Sequence, residues 1–231
     1  MNLTTAKKTR KNRRCHCVDD SGKRCRRSML QGTLFCKAHQ NCEGSPLSGW
    51  EPRINIELFN SPEVRESHNC YSFATNAYDP SLLHQCDGKP GCEPRFHQPG
   101  GTKDKANILR NASARNCKTV EGLVGLDIPD VKRTTFKARC PVGTSKIAMV
   151  SDRGDDYHFY AQYPREGQRP YVNWLHKDGG NTVKEKDADG NPIFNPEFAS
   201  RDYRPASFLN YEDFCGFYCI PRNRKIQLAR D

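Results

Sequence analysis

Apolar and polar positions change period along this chain. In "CYSFATNAY", residues 70–78, Phe73, Ala74 and Ala77 recur at about 3.6 residues, which predicts a short helix ended by Asp79-Pro80. Further on the period is two. Lys146 to Val150, Tyr157 to Tyr163 and Tyr171 to Lys177 read as strands separated by the turns "SDRGDD" and "PREGQRP", and a last strand runs from Phe214 to Ile220. In "DDYHFYAQY", His158, Tyr160 and Gln162 share one strand face, opposite Tyr157, Phe159 and Ala161. A helix followed by antiparallel strands predicts an α+β domain over residues 54–231.

Elsewhere the pattern is missing. Residues 1–14 are basic without apolar positions and read as a flexible tail. Residues 15–42 hold a cysteine-rich module, and "EGSPLSGWEP" marks residues 43–53 as a linker. No apolar run approaches the roughly 18 residues of a membrane span. The N-terminus also lacks a signal peptide's apolar stretch, so cytoplasmic synthesis is expected, with an oxidised particle as the exception.

Charge and cysteine content sharpen this division. Residues 1–42 carry eleven Lys or Arg against two Asp, and the remainder 26 against 25 acidic residues, so the basicity belongs to the head. That predicts an acidic partner there, nucleic acid first. Twelve cysteines in a reducing compartment predict metal ligands, a nucleophile or buried thiols before disulfides.

In "CHCVDDSGKRCRRSMLQGTLFCKAHQNC", Cys17, Cys25, Cys36 and His39 supply three thiolates and an imidazole, the donor set of a closed structural zinc site. Cys15 and Cys42 lie outside that pattern; either could replace Cys17. A segment this short has no core, so metal binding would be its folding energy. Lys23, Arg24, Arg26 and Arg27 between the ligands form a candidate phosphate-binding cluster for nucleic acid, or a solvated basic face. The module resembles a small family of "C…GKRC…GxxFCxxH" zinc modules found as appendages in bacterial, plant and viral proteins.

In the main domain, Cys70 follows the possible caps Ser67 and Asn69, where helix amides would lower a thiol's pKa. His158 is the candidate base, and His176 on the next strand a candidate orienting group. The stretches "NCYSFATNAYDP", "FHQPGG", "CPVGTSKIAMVSDRGDDYHFYAQ", "WLHKDGG" and "DFCGFYCIPR" resemble a family of proteins of large DNA viruses and some bacteria, whose domain is similar to NlpC/P60 and papain-like cysteine hydrolases. The resemblance implies Cys70 as nucleophile, His158 as general base and His176 as orienting group, in a peptidase or amidase. It also implies an alternative, a non-catalytic virion or minor capsid protein that uses the fold as scaffold with capsid proteins as partners; a nucleic-acid-binding protein is the third reading. The chain departs from the family at "HKDGG", where "HKPG" is expected, and at "HFYAQ", where "HFYRQ" is.

Three further features have weaker signals. Cys86, Cys92, His97 and Cys117 could form a second metal site in a loop rich in Pro and Gly. Cys215 and Cys219 would share one strand face about 13 Å apart, too far for one metal, and read as core or as disulfide partners. Asp187, Asp189 and Gly190 resemble the start of a calcium loop but lack its downstream glutamate, so they read as a turn.

Overall fold

The computed structural model describes residues 14–84, 87–89, 97–101, 106–164 and 174–222. The predicted tail, apart from Arg14, and the Tyr171 end of the third predicted strand lie outside them. The architecture is α+β. Four α-helices, α1 (Ile56–Asn60), α2 (Pro62–Ser67), α3 (Cys70–Thr75) and α4 (Cys117–Asp127), precede six strands: β1 (Lys132–Thr134), β2 (Thr144–Asp152), β3 (Asp156–Gln162), β4 (Trp174–Lys177), β5 (Val183–Lys184) and β6 (Asp213–Pro221). They form one antiparallel sheet in the order β1-β6-β2-β3-β4-β5.

Both faces of the sheet are covered. On one, Ile147, Met149, Phe159, Ala161, Tyr218 and Ile220 pack with Tyr71, Phe73 and Ala74 of α3 and Val120, Leu123 and Val124 of α4. On the other, Ala148, Val150, Tyr160, Trp174 and Phe217 pack with Phe136, Ile193 and Phe194 and with Cys15, Cys17, Val18, Cys36 and Cys42. The alternation read from the sequence is present, but the central strands are buried on both faces. The cysteine-rich module is the cover of the second face, which is how it acquires a core despite its length.

The expected linker is therefore a docked segment. Ser45 is buried and its hydroxyl takes a bond from Lys146 Nζ at 2.7 Å, while Gln162 Nε2 donates to the Ser45 carbonyl at 2.9 Å. The Lys146 ammonium also reaches the carbonyls of Phe136 and Ala138, at 2.9 and 2.6 Å, so a lysine in the middle of β2 is fully enclosed. Burial pulls its pKa down to about 7.

Helix α3 is fixed at both ends. The Asn69 carboxamide oxygen accepts from the Tyr71 and Ser72 amides, and Asn76 ends the helix in the left-handed conformation at φ 54°. The helix thus stops earlier than the Tyr78 predicted. The Arg222 guanidinium then bonds the C-terminal carbonyls of Thr75 and Ala74 at 2.7 and 2.8 Å. Helix α4 escapes the sequence pattern because Gly122 and Gly125 interrupt it; its start is set by the Asn116 side chain on the Thr119 amide.

Three disulfides join described residues: Cys17–Cys42, Cys117–Cys215 and Cys140–Cys219. They overturn the expectation that the cysteines stay reduced. Cys215 and Cys219 do not share a face: Met149 pairs with Gly216 and Val150 with Phe214, so Cys215 is the extra residue of a β-bulge and turns toward α4. Gly216 sits there at φ 151°, a conformation that disfavours any side chain.

The Cys140–Cys219 bridge closes a separation of 79 residues and Cys117–Cys215 one of 98. Loop-closure entropy sets the loss on removing either bridge at about 2–5 kcal/mol. We expect a Cys140→Ala/Cys219→Ala protein to lose that much in urea unfolding. An unchanged midpoint would mean that the bridge does not constrain the unfolded chain.

Candidate functional site

Of the described cysteines, four lie outside disulfides: Cys15, Cys25, Cys36 and Cys70. The first three converge with His39, their ligand atoms all within 4.8 Å of one another, and could hold a metal ion. The sequence prediction is corrected at one ligand. Cys15 takes the place assigned to Cys17, which is instead bonded to Cys42 and staples the module's two ends. Local structure builds the cluster: Cys36 caps a single 3-10 turn, Lys37–His39, which brings His39 Nδ1 to 3.4 Å from its sulfur. The Cys36 amide points at Cys15 Sγ (3.3 Å) and the Arg27 amide at Cys25 Sγ (3.4 Å), donors suited to thiolate sulfur.

The basic cluster is divided. Lys23, Arg26 and Arg27 are exposed. Arg24 is turned inward: its guanidinium lies 4.3 Å over the Phe198 ring and donates to the carbonyls of Cys15 (3.0 Å) and Arg14 (2.7 Å). It fastens the module to the loop beyond β5 and is not available to a phosphate. His16 against Phe198 and Phe35 against Phe194 complete that contact.

Away from the basic module is a cleft of about 590 Å³, lined by residues outside it that include Cys70, Gln98, Tyr157, His158, Asp178 and Tyr211. Helix α3 packs on β3 and presents Cys70 at its head. Its thiol is not the activated one that the helix position predicts. Burial pushes it well above the ordinary value, Asp156 and Asp178 push the same way, and the Phe159 amide and Lys177 oppose them only in part. A helix of one and a half turns has too few aligned amides to outweigh desolvation.

His158 is likewise neutral, driven by burial and by His176 down to about 3. Its Nε2 lies 2.9 Å from His176 Nδ1 and 3.4 Å from Asp178 Oδ1, and Tyr211 packs on the ring. His176 Nδ1 is 2.9 Å from the same Asp178 oxygen, and its Nε2 donates to the Lys186 carbonyl at 3.1 Å. Burial alone would raise Asp178, but His176, His158 and Lys184 hold it well below the usual carboxylate range. The structure thus brings Cys70 and His158 to one cleft and His176 behind them.

The sequence reading missed Asp178. Its signal was the stretch "HKDGG": the residue standing where the resemblance led us to expect proline is the carboxylate that joins the two histidines. Lys177 beside it is enclosed by the carbonyls of Arg65, His68 and Gly179, and burial lowers it to about 8.

The second predicted metal site loses one of its four ligands. Cys117 is committed to Cys215, and His97 is buried with its Nε2 3.5 Å from Asp79 Oδ2. Cys86 and Cys92 lie outside the described residues. Asp187 accepts from the amides of Asp189 and Asn191 (3.0 and 2.9 Å), the turn that the sequence suggested.

Buried neutral histidines give the fold an acid limit. His158, at about 3, and His68, lowered by burial to about 4, both titrate near 6.5 when unfolded. Between those values the unfolded chain binds more protons, so stability is complete above pH 6.5 and falls on acidification, by about 1.4 kcal/mol per pH unit for each histidine. Urea midpoints at a series of pH values should show that slope, and a His68→Gln protein a shallower one.

The chain is 29% identical over 176 residues to "Insoluble matrix shell protein 1" of Ruditapes philippinarum, covering 74% of this chain and 93% of that protein. No family model matches the chain. No solved structure matches it either.

Proposed function

We propose that this chain is a cysteine hydrolase of the acyl-transfer type, a peptidase or amidase with an NlpC/P60-like or papain-like site, carrying a structural zinc module. The observation behind this reading is that the one described cysteine free of both disulfides and the metal cluster opens on the same cleft as a histidine whose far nitrogen is anchored. Cys70 attacks the acyl carbon while His158 takes its proton, and Asp178 with His176 steadies the charge that forms on the ring. Because thiol and imidazole are both neutral at rest, proton transfer accompanies attack. The leaving amine collects that proton from His158, and water then releases the acyl group from Cys70.

Zinc fits the module's donors. A tetrahedral ion with Zn–S of about 2.3 Å and Zn–N of about 2.0 Å has S···S edges of about 3.8 Å and S···N edges of about 3.5 Å. The corresponding separations are 4.0 Å for Cys25–Cys36, 3.6 Å for Cys15–His39 and 3.4 Å for Cys36–His39.

The test is covalent capture. A set of peptidyl electrophiles is offered to the protein and adducts are located by mass spectrometry, with Cys70→Ala as the control. Selective adducts on Cys70 support the hydrolase; a Cys70 that no acyl-like probe reaches overturns it.

A second reading, an extracellular structural protein, is favoured by the three disulfides together with the likeness to a shell matrix protein. It expects the Cys70→Ala protein to enter an insoluble matrix as the unmodified protein does. Nucleic-acid docking is the weaker role, since Arg24 is lost to internal packing.

A further inference from the structure

We infer that His158, His176 and Asp178 form a second metal site, for a labile transition ion of the zinc class, and that its occupancy and the chemistry of Cys70 exclude one another. The second half rests on the hydrolase reading; the first does not. The Lys186 carbonyl can only accept, so His176 Nε2 donates to it and Nδ1 is the nitrogen turned toward the cluster. Nδ1 lies 2.9 Å from Asp178 Oδ1 and 2.9 Å from His158 Nε2, while the remaining edge of the triangle is 3.4 Å. Three ligand atoms so close together could hold one metal ion.

The dimensions fit such an ion. Ligands at about 2.0–2.2 Å have neighbouring donors about 2.9 Å apart at right angles and about 3.4 Å apart at the tetrahedral angle. The three observed edges span that range. The surroundings are those of a ligating set: the second nitrogen of His176 is tied to a carbonyl, and the second oxygen of Asp178 to Lys184 Nζ at 2.5 Å. His158 and Asp178 line the cleft, so the remaining coordination positions open to water. The Lys184 charge beside Asp178 weakens the ion's hold, which makes the site labile where the thiolate cluster is tight.

Exclusion follows from the ring's two nitrogens. As a base toward Cys70, His158 keeps its proton on Nε2, hydrogen-bonded to the cluster, and receives the thiol proton at Nδ1. With an ion on Nε2, Nδ1 holds the ring's only proton and has no lone pair to offer. Metal therefore silences the thiol without touching it.

The experiment counts zinc by equilibrium dialysis of the full-length protein with its module loaded, and measures capture of Cys70 by a peptidyl electrophile with and without free zinc. The intact protein should hold one zinc beyond the module's. Cys70→Ala should retain it, whereas Asp178→Asn and His176→Gln should bind it about 10–100-fold more weakly. Zinc should slow capture about 10²-fold or more, and do so far less in Asp178→Asn. The site is refuted by a missing second equivalent, or by one that Cys70→Ala abolishes, since the ion then sits on the thiol. A second equivalent that leaves capture unchanged overturns the exclusion. Failure of capture without zinc brings down the hydrolase reading and the exclusion with it, while the dialysis still decides the metal site.

Discussion

Replacing His158 with Ala or Gln should slow acyl capture by Cys70 about 10²–10⁴-fold, the usual contribution of a positioned base. The effect should be large because burial leaves the thiol protonated across the physiological range and no other described group carries its proton away. Asp178→Asn should cost less, since it keeps the ring in place and removes only the charge opposite it. The pH profile separates this mechanism from a preformed ion pair. With His158 neutral above about 3, capture should be nearly level from about pH 5 to about pH 8, where an ordinary thiol gains about tenfold per unit. A His158→Gln protein that reacts at the rate of the intact one would reduce Cys70 to a buried thiol of the core.

Stripping an ion held by Cys15, Cys25, Cys36 and His39, which could bind one, should destabilise far more than the module. Cys15 and Cys36 belong to the same apolar cluster as Trp174, Phe217 and Ala148, so loss of the ligand geometry uncovers one face of the sheet. Structural zinc contributes on the order of 10 kcal/mol to small modules, and we expect chelation, or Cys36→Ser, to remove about 5 kcal/mol or more of folding stability. Fluorescence gives a direct readout. Trp174 is buried beneath the module and Trp50 is exposed, so chelation should shift emission to the red through Trp174, and a Trp50→Phe protein should show the whole change. Emission and urea midpoint that ignore a chelator would mean that the four residues hold no structural ion.

The departures from expectation have a common cause. Cys15 and Cys17 lie two apart in a short extended segment, and spacing alone does not say which thiol meets Cys25 and which meets Cys42. That is decided by the bridges Arg14 to Ser28 and Val18 to Arg24, which fold the segment back on itself. The Cys117–Cys215 pairing depends in the same way on a bulge in β6, because one extra residue reverses the face on which Cys215 stands. Arg24 reads as a surface cation until the loop carrying Phe198 is brought beneath it.

By itself the sequence determined what short-range chemistry determines: four of the six strands, the helix that begins at Cys70, the division of β3 into two faces, and the nomination of Cys70, His158 and His176. These follow from side-chain period and from caps that act within a few residues. The tertiary structure alone decided the burial of both sheet faces, the docking of the supposed linker on Lys146, the disulfide partners and the entry of Asp178 into the histidine cluster. It also reversed the electrostatics of Cys70. A helix start favours a thiolate locally, but desolvation is a property of everything packed around the sulfur, and only the folded chain sets its size.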